Sequence, residues 1–488
     1  MTKILLIDLS SAYLPPPMEY WDLFGLRIKA EDMIKDRWNS DLRKRGTKTY
    51  SRGLLSIAAS LERAGYQVTY KHCGFSEDCI TSNAVQDAEI VGITCVTPTF
   101  FMTIDVLRKI KRLNSDVLAV IGGSHVTYLA EDIVARYNPL VDVVVRGEGE
   151  ITMTEIANHP HNLEWIKGIT YNALDQSGNI SIHHNPEREP CKLTELPQPA
   201  YHLLPFALSH YSHNIMTSRG CVFKCAYCVD GQYFAKLRHH PVDKIIDELK
   251  YIAGRVPKRT LVHFCDSVFD IDKNYVSRLT RSIKEAALDL KFSCDLRASA
   301  IDEESIELMR SAGFIEYCIG VESSDDSLLA KHKQDQTFQD AIDACKLVRS
   351  VDGQAFIKAY WITGLPGTSL RSLQDEAEVM KSLIQESIVN IIGNKLFVPY
   401  PGTPIFDYAE QFGLSIRHRN WSEYIRYGRP VYDLDTSISE ILFDCFLAQE
   451  EAVLKAYLDV LGIGLAELDG VVPSDYLYRQ CFGPLSLE

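Results

Sequence analysis

Three cysteines, Cys221, Cys225 and Cys228, follow one another in the middle of the chain with the spacing Cys-x3-Cys-x2-Cys. Gly220 opens this segment and Lys224 lies inside it, so it has the character of a loop rather than of a buried strand. The thiolate form of cysteine binds soft metals and iron–sulfur clusters. The pattern therefore indicates a site for a metal ion or a cluster.

The cysteines alone allow three interpretations of this site. The thiols could be small buried residues without a ligand. They could bind a structural zinc ion, which needs a fourth ligand that His239 or His240 could supply. They could instead bind three irons of a [4Fe–4S] cube and leave its fourth iron open for a small chelating ligand.

The elements around the cysteines predict where this loop lies. A strand that ends near Met216 is expected to precede it, and a regular alternation of strands and helices follows. Such alternation predicts a partial or full (β/α) barrel, whose sites lie at the carboxyl ends of the strands. The expected strands are residues 260–264, 291–293, 317–320, 356–362 and 394–398, and the expected helices include 242–253, 304–312 and 337–349.

The first part of the chain shows a second series of alternating elements. Apolar runs alternate with helical patterns, which predicts βαβ units and a parallel sheet. Residues 12–50 interrupt the series and are interpreted as a long insertion over the edge of this sheet. The expected strands are residues 3–9, 67–70, 89–94, 117–121 and 141–145, and the expected helices are 51–64 and 102–113.

Domain boundaries follow from composition. Residues 185–205 contain five prolines, a density that opposes regular structure and predicts a linker. We therefore expect a first domain over residues 1–190, a second over 205–405 and a mainly helical region over 406–488, with a long helix at 438–461.

Composition narrows the class of protein. A chain of 488 residues is expected to form two or three domains. Its net charge of -14 disfavours a nucleic-acid partner, which would require many cations. No uninterrupted apolar run of about eighteen residues occurs, and the first residues carry charge too early for a secretory signal. These features predict a cytoplasmic protein without a membrane partner.

The cysteine motif, with Tyr227 directly before its third cysteine, resembles the radical S-adenosylmethionine (SAM) superfamily. The resemblance extends over about residues 205–405 and implies that the three cysteines bind a [4Fe–4S] cluster, with SAM on the open iron. Further segments that match the family are residues 263–269, 293–297, 319–323, 364–367 and 399–404.

The resemblance also implies roles for single residues. Arg297 is the candidate partner of the SAM carboxylate, a role that suits the planar fork of a guanidinium group. Glu322 is the candidate partner of the SAM amino group or ribose. Asp266 and Tyr227 complete the expected cofactor-binding set. Taken singly, each carboxylate could be a solvated loop residue and Arg297 a surface ion-pair residue.

A second resemblance concerns the first domain. Residues 51–66, 90–94, 121–125 and 146–150 resemble the cobalamin-binding domain of class B radical SAM enzymes. Gly122 and Gly123 follow an expected strand, where a ligand could approach bare backbone, although glycines there could equally serve tight turns. The Asp-x-His-x-x-Gly sequence of some cobalamin proteins is absent, so neither His72 nor His125 is expected to ligate cobalt.

Together the resemblances imply a flavodoxin/Rossmann-like cobalamin-binding domain, a partial barrel and a helical C-terminal region. Such a protein generates a 5′-deoxyadenosyl radical, draws electrons from a reductant such as flavodoxin or ferredoxin, and methylates an unactivated carbon of a small metabolite or natural-product intermediate. The substrate is expected between the two domains, with Tyr360, Trp361 and Tyr400 near it.

Two alternatives remain. The same cofactors could support cyclisation, rearrangement or transfer of another SAM-derived group. A protein of another class, a non-catalytic corrinoid or iron–sulfur binding protein, could share the cysteines. A role in RNA modification would usually add a cluster of extra cysteines, whereas the C-terminal region has only Cys445 and Cys481, far apart.

Overall fold

The computed structural model describes residues 2–9, 18–38, 48–73, 80–174, 180–234, 236–435 and 438–469. Parts of the predicted insertion, residues 12–17 and 39–47, lie outside these ranges, as do residues 470–488 with Cys481. In the described ranges, no helix has both the length and the apolar character needed to cross a membrane.

The first sheet has seven strands in the order β2-β1-β3-β4-β5-β6-β7. Its first five strands are parallel, and β6 and β7 continue the sheet as an antiparallel hairpin that the sequence pattern does not predict. The order 2-1-3-4-5 is that of flavodoxin-like folds, which confirms the predicted class. The strands are β1 (Lys3–Asp8), β2 (Gln67–His72), β3 (Ile90–Thr94), β4 (Leu118–Gly122), β5 (Val143–Val145), β6 (Ile169–Leu174) and β7 (Ile180–His184).

Seven helices belong to this part of the chain in the described residues. Helix α2 shows how the sequence specifies a helix here. The Ser51 hydroxyl oxygen caps its start by accepting a hydrogen bond from the Leu54 amide (3.2 Å), and its apolar side is buried against the sheet. The helices are α1 (Met18–Trp38), α2 (Arg52–Arg63), α3 (Ser82–Gln86), α4 (Phe100–Leu113), α5 (Ser124–Tyr128), α6 (Ala130–Arg136) and α7 (Gly149–Asn158).

The second sheet is an open, all-parallel layer of six strands in the order β15-β14-β13-β12-β11-β8. Successive strands are neighbours and helices connect them, which confirms the predicted partial barrel. The strands are β8 (His213–Ile215), β11 (Thr260–Phe264), β12 (Leu290–Arg297), β13 (Phe314–Glu322), β14 (Phe356–Thr363) and β15 (Ile391–Leu396); β9 (Ser218–Arg219) and β10 (Arg238–His239) form a separate ribbon. The helices are α8 (Asp230–Tyr233), α9 (Val242–Ala253), α10 (Lys273–Ala286), α11 (Glu303–Ser311), α12 (Asp326–His332), α13 (Phe338–Val351) and α14 (Leu370–Gln385).

This second sheet has an apolar face and a polar face. The apolar face packs against the helices and includes Trp361, which is completely buried, so the expectation that Trp361 borders the substrate space is corrected. The register aligns Cys318 with Lys358 and Gly320 with Tyr360, so the polar side chains of neighbouring strands share one face, the interior of the barrel. That face carries His263, Ser293, Asp295, Arg297, Glu316, Lys358, Tyr360 and Lys395.

The C-terminal region is mainly helical, as predicted, and one helix dominates it. Helix α16 packs against α14 of the barrel and against α1. Because Arg27 of α1 also donates a hydrogen bond to the Ile392 carbonyl of β15, the described part of residues 12–50 lies at the edge of the second sheet; the expected position over the first sheet is corrected. The elements are α15 (Pro404–Asp407), β16 (Leu414–Ile416), β17 (Tyr432–Leu434), α16 (Leu442–Leu461) and α17 (Leu465–Asp469).

Candidate active site

The cysteine loop begins directly after β9 and is held from several sides. Gly220 has a φ of 98°, and a Cβ atom there would collide with the Lys236 carbonyl, so only glycine fits this turn. The Ala226 amide donates to the His332 carbonyl (2.8 Å), and the Ile405 amide donates to the Ala226 carbonyl (3.3 Å). The loop is therefore fixed between the barrel helices and the start of the C-terminal region.

All three thiols of the loop are free and half-buried. Burial and neighbouring acidic groups raise the pKa of Cys228 to about 12, and burial also raises the pKa of Cys221. Thiols of this kind become thiolates only when nearby positive charge compensates for burial, and bound iron supplies that charge. The donor set therefore fits an iron–sulfur cluster.

The geometry differs from that of a single-ion site. Across the described ranges, no three His, Cys, Asp or Glu side chains form a group that could hold a metal ion. A cube places each thiolate on its own iron, so its three sulfurs need not meet at one point. The His239 ring stacks on Tyr275 at 4.2 Å and pairs with Asp272 at 3.4 Å, so it is not positioned as a zinc ligand.

Arg297 lies at the end of β12, beside the cysteine loop. Its Nη1 atom is 3.5 Å from the Cys225 sulfur, and its guanidinium plane lies 3.9 Å from the centre of the Phe223 ring. Its Nη2 atom donates to the carbonyl oxygens of Lys333 (3.1 Å) and Gln334. A buried, fixed cation therefore lies next to the cysteine loop.

Glu322 ends β13 on the same side of the barrel, with an unusual positive φ of 74°. Its carboxylate accepts from the Lys333 ammonium group (3.0 Å), which also donates to the Gly320 carbonyl (2.6 Å). The Gln336 amide donates to the same carbonyl (3.0 Å). Lys333 and Gln336 were not predicted, because they follow α12 in an irregular segment with no sequence pattern that points to the site.

Asp266 has a different position from the one expected of a cofactor ligand. It is buried, and its carboxylate accepts hydrogen bonds from the amide and the hydroxyl of Thr217 (3.2 and 2.9 Å) and from the amide and the hydroxyl of Ser218 (2.6 Å for the hydroxyl). These bonds fix the backbone that leads into Cys221. Burial raises the pKa of Asp266, although the four donors oppose this shift.

Tyr227 lies in the cysteine loop and is half-buried. Burial, together with the negative charges of Glu322 and the flanking cysteines, raises the pKa of its hydroxyl well above the ordinary value. The hydroxyl therefore stays protonated and can donate a hydrogen bond beside the three cysteines.

The barrel interior contains a series of hydrogen-bonded polar residues that were not predicted from the sequence. The His263 ring lies 2.9 Å from the Ser293 hydroxyl and 3.1 Å from Asp295, and the Tyr360 hydroxyl donates to the other oxygen of Asp295 (3.2 Å). The alternation of polar residues along β12 was the available signal, since every second residue from Lys291 to Arg297 is polar.

A cavity lies between the carboxyl edge of the first sheet and the second domain. The first domain contributes five glycines of the sheet edge together with apolar and charged side chains, and the second domain contributes mainly large side chains. Gly123 has a φ of 120°, and a Cβ atom there would collide with the Cys95 carbonyl, so the turn itself requires glycine. Among its walls are Gly92, Gly122, Gly123, Gly147 and Gly149 on one side and Met216, Arg219, Tyr233 and His240 on the other.

This cavity fits a large, flat group that approaches bare backbone. Burial and surrounding arginines lower the pKa of His240 to about 3, so this lining imidazole is neutral at pH 7. His125 lies elsewhere, in contact with Thr97 and Phe100, and burial lowers its pKa to about 3 as well. His72 pairs with Asp8 at 3.6 Å.

Buried ion pairs connect the cavity to the cysteine loop. Arg219, in the strand before the loop, pairs with Glu150 (2.5 Å) and Glu148 (3.5 Å), and Arg238 also pairs with Glu148 (2.5 Å). Burial alone would raise the pKa of Glu148, but the hydrogen bond from Arg238 and the charge of Arg219 lower it. The first domain is thus attached to the residues that position the cysteines.

Comparison with known proteins identifies both domains. Residues 40–157 match the B12 binding domain, and residues 215–380 match the radical SAM superfamily. An uncharacterized methyltransferase of Pyrococcus horikoshii is 29% identical over 76% of this chain and 80% of its own length. The anaerobic magnesium-protoporphyrin IX monomethyl ester cyclase of Cereibacter sphaeroides is 21% identical over 74% of this chain and 61% of its own length.

A solved structure has the same fold. The radical SAM methyltransferase TsrM of Kitasatospora setae, with cobalamin and a [4Fe–4S] cluster bound, superposes with a TM-score of 0.62 at 16% identity, over 88% of this chain and 82% of that one. Two matched domains in the same order, on a flavodoxin-like sheet and a partial barrel, agree with the fold described above. The chain therefore contains a B12 binding domain followed by a radical SAM domain.

Proposed function

We propose that this protein transfers a methyl group to an unactivated carbon of a small molecule, with a [4Fe–4S] cluster, SAM and cobalamin as cofactors. The observation that carries the proposal is the cavity between the glycine-rich edge of the first sheet and the domain that holds the cysteine loop. This cavity, which fits a large flat group, lies beside the domain whose cysteine loop is proposed to bind the cluster. When bound, these cofactors supply a carbon-centred radical and a transferable methyl group.

Within this proposal, Cys221, Cys225 and Cys228 hold the cluster. Their loop lets three thiolates reach it, and Gly220 gives the turn that starts the loop. Asp266 is assigned a positioning role instead of a cofactor contact, since its oxygens already accept four hydrogen bonds from Thr217 and Ser218.

SAM is proposed to bind at the ends of β12 and β13. Arg297 offers a fixed guanidinium group for its carboxylate, and Glu322 offers an acceptor for its amino group or ribose. Lys333 orients the Glu322 carboxylate. Tyr227 closes this space beside the cysteines and keeps its proton, which suits a neutral hydrogen-bond donor.

Cobalamin is proposed to lie in the cavity between the domains, where Gly122 and Gly123 form part of the wall. The ion pairs of Arg219 with Glu148 and Glu150 fix the distance between this cavity and the cysteine loop. Because radical transfer requires van der Waals proximity, such fixed spacing favours transfer over side reactions.

Methyl transfer is favoured over the alternative outcomes by the relatives. The Pyrococcus relative, named a methyltransferase, is 29% identical, and the cyclase is 21% identical. Cyclisation remains the second candidate, since that cyclase also spans 74% of this chain. The proposal further includes a small-molecule substrate, a reductant such as flavodoxin or ferredoxin, and a cytoplasmic setting, where an oxygen-sensitive cluster is kept reduced.

The test uses full-length protein, purified anaerobically with cobalamin and incubated with SAM and a chemical reductant. The products are quantified by mass spectrometry. Methyl transfer predicts both 5′-deoxyadenosine and S-adenosylhomocysteine, because a second SAM must methylate the corrin. Formation of 5′-deoxyadenosine without S-adenosylhomocysteine would favour cyclisation or rearrangement, and the absence of both would favour a non-catalytic binding protein.

A further inference from the structure

We propose that the barrel interior binds an oxyanion of the substrate, a carboxylate or a phosphate group, between Lys358 and Lys395. This inference rests on the proposed function, because it names the chemical class of substrate for the same enzyme. The site lies on the polar face of the sheet, on strands β14 and β15, away from the cysteine loop.

The register places both lysines on that face. Tyr360 pairs with Gly393 and Ile362 pairs with Lys395 in parallel neighbouring strands, so alternate residues of β14 and β15 point into the barrel together. Lys358 lies two residues before Tyr360 on the same face. The two ammonium groups therefore approach one interior space from adjacent strands.

These lysines have aromatic neighbours instead of carboxylate partners. The Lys395 ammonium lies 3.9 Å from the centre of the Tyr427 ring, and the Lys358 ammonium lies 5.4 Å from that of Tyr360. In the described part of the chain, neither ammonium forms an ion pair or a hydrogen bond. Both lysines are half-buried, and a partly buried cation gains from a partner of opposite charge, so this pair is suited to a ligand that brings its own negative charge.

The charges around Lys395 also bear on this argument. Burial, and then the positive charges of Lys358, Arg27 and Arg426, lower the pKa of Lys395 well below its ordinary value, an effect that a bound anion would oppose. Glu31 opposes them, but it pairs with Arg27 at 3.3 Å. Arg27 also pairs with Glu450, and the same barrel face carries the carboxylates of Asp295 and Glu316, so the positive charge that the proposal assigns to the anion is that of Lys358 and Lys395.

Gly393 leaves space for the side chains of Lys358 and Tyr360. A Cβ atom at this position would lie 2.9 Å from Cε of Lys358 and 3.0 Å from Cδ1 of Tyr360. Gly393 has no left-handed backbone angle that would require glycine, so its small size is the relevant property. The absence of a side chain at this position of β15 therefore allows Lys358 and Tyr360 to pack there.

Equilibrium dialysis of the full-length protein, reconstituted with its cofactors, tests the proposal with labelled phosphate and labelled acetate at constant ionic strength. We expect one of the two anions to bind and Lys395→Met to weaken it by about tenfold or more, with a smaller loss in Lys358→Met. Lys395→Arg should retain most of the binding. Lys346→Met, which changes an exposed lysine of α13, is the matched control and should bind like the unmodified protein.

The identity of the bound anion separates a phosphate-bearing from a carboxylate-bearing substrate. The proposal is overturned if neither anion binds, or if binding survives in Lys395→Met and is lost in Arg297→Met, since the anion would then occupy the proposed SAM site. Circular dichroism checks that each variant is folded. Equilibrium dialysis measures anion binding and needs no turnover. A negative dialysis result would therefore refute the anion site alone, whereas absence of S-adenosylhomocysteine would refute methyl transfer.

Discussion

Single side chains around the cysteine loop divide into groups that face the proposed ligands and groups that hold the loop. Arg297 is held by the Lys333 and Gln334 carbonyls and turns its Nη1 atom toward the Cys225 sulfur, whereas Asp266 uses its whole carboxylate on Thr217 and Ser218. Both matched the same family pattern in the sequence. Only the hydrogen bonds separate their roles, because a pattern of residue types does not say which way a carboxylate points.

Replacing Arg297 by lysine keeps the charge but removes the planar fork. Charge-assisted hydrogen bonds contribute about 1.5–3 kcal/mol each, so we expect the KM for SAM to rise by about tenfold to a hundredfold. Rates of 5′-deoxyadenosine formation at varied SAM concentration measure this. Iron content should remain that of the unmodified protein; a parallel loss of iron would instead assign Arg297 to cluster binding.

At the scale of elements, buried polar contacts connect the barrel to the C-terminal helix α16. The Gln449 side chain accepts from the Thr363 hydroxyl (2.5 Å) and donates to the Leu373 carbonyl (2.9 Å). Glu376 of α14 accepts from the Ser323 hydroxyl (2.5 Å) directly after β13. Because the Gln449 amide also donates to Glu376 (3.5 Å), a series of hydrogen bonds runs from α16 to the residue that follows Glu322.

Glu376 makes stability depend on pH. Burial raises its pKa from 4.5 to about 7, so between these values the folded protein holds a proton that the unfolded chain releases. Stability should therefore fall as pH rises through this window, by about 3 kcal/mol in total. The measurement is the urea concentration at the unfolding midpoint from pH 5 to pH 8. In Glu376→Gln, this midpoint should decrease less with rising pH than in the unmodified protein.

A matched variant makes this pH test specific. Glu378 lies on the same helix with its side chain exposed, and Glu378→Gln should keep the slope of the unmodified protein. An unchanged slope in Glu376→Gln would show that another group controls the effect.

The ribbon of β9 and β10 is the second element with a testable role. Gly220→Ala would force a side chain onto a φ of 98° and against the Lys236 carbonyl, and such strain costs about 1–3 kcal/mol or more. We expect lower thermal stability together with reduced iron content after reconstitution. Gly353→Ala, at a position with open space around it, should change neither quantity.

At the scale of the whole molecule, much of the architecture could be predicted from the sequence. Buried strands are strongly apolar, and the helix between Ser51 and Ala64 has clear capping residues and helical spacing, so their positions follow from local patterns. Strand β11 was predicted with its observed bounds of Thr260–Phe264. The strands of the second sheet follow chain order, as short crossover connections favour, whereas the first sheet places β1 between β2 and β3.

Other features depended on contacts that no local pattern encodes. The helix over Met18–Trp38 lies in a segment that is charged and aromatic, and its position depends on packing against α16, far along the chain. Lys333 reaches Glu322 only because α12 ends beside β13. Lys358 and Lys395 were not noticed because their strands were identified by their apolar residues, although the interior face is polar.

The direct test of the central claim is the iron and sulfide content of anaerobically reconstituted protein, measured with its electron paramagnetic resonance spectrum after reduction. The account predicts about four irons and four sulfides per chain, a reduced [4Fe–4S] signal that SAM perturbs, and loss of SAM cleavage in Cys221→Ala, Cys225→Ala and Cys228→Ala. A single bound zinc ion, or undiminished SAM cleavage in Cys225→Ala, would contradict it.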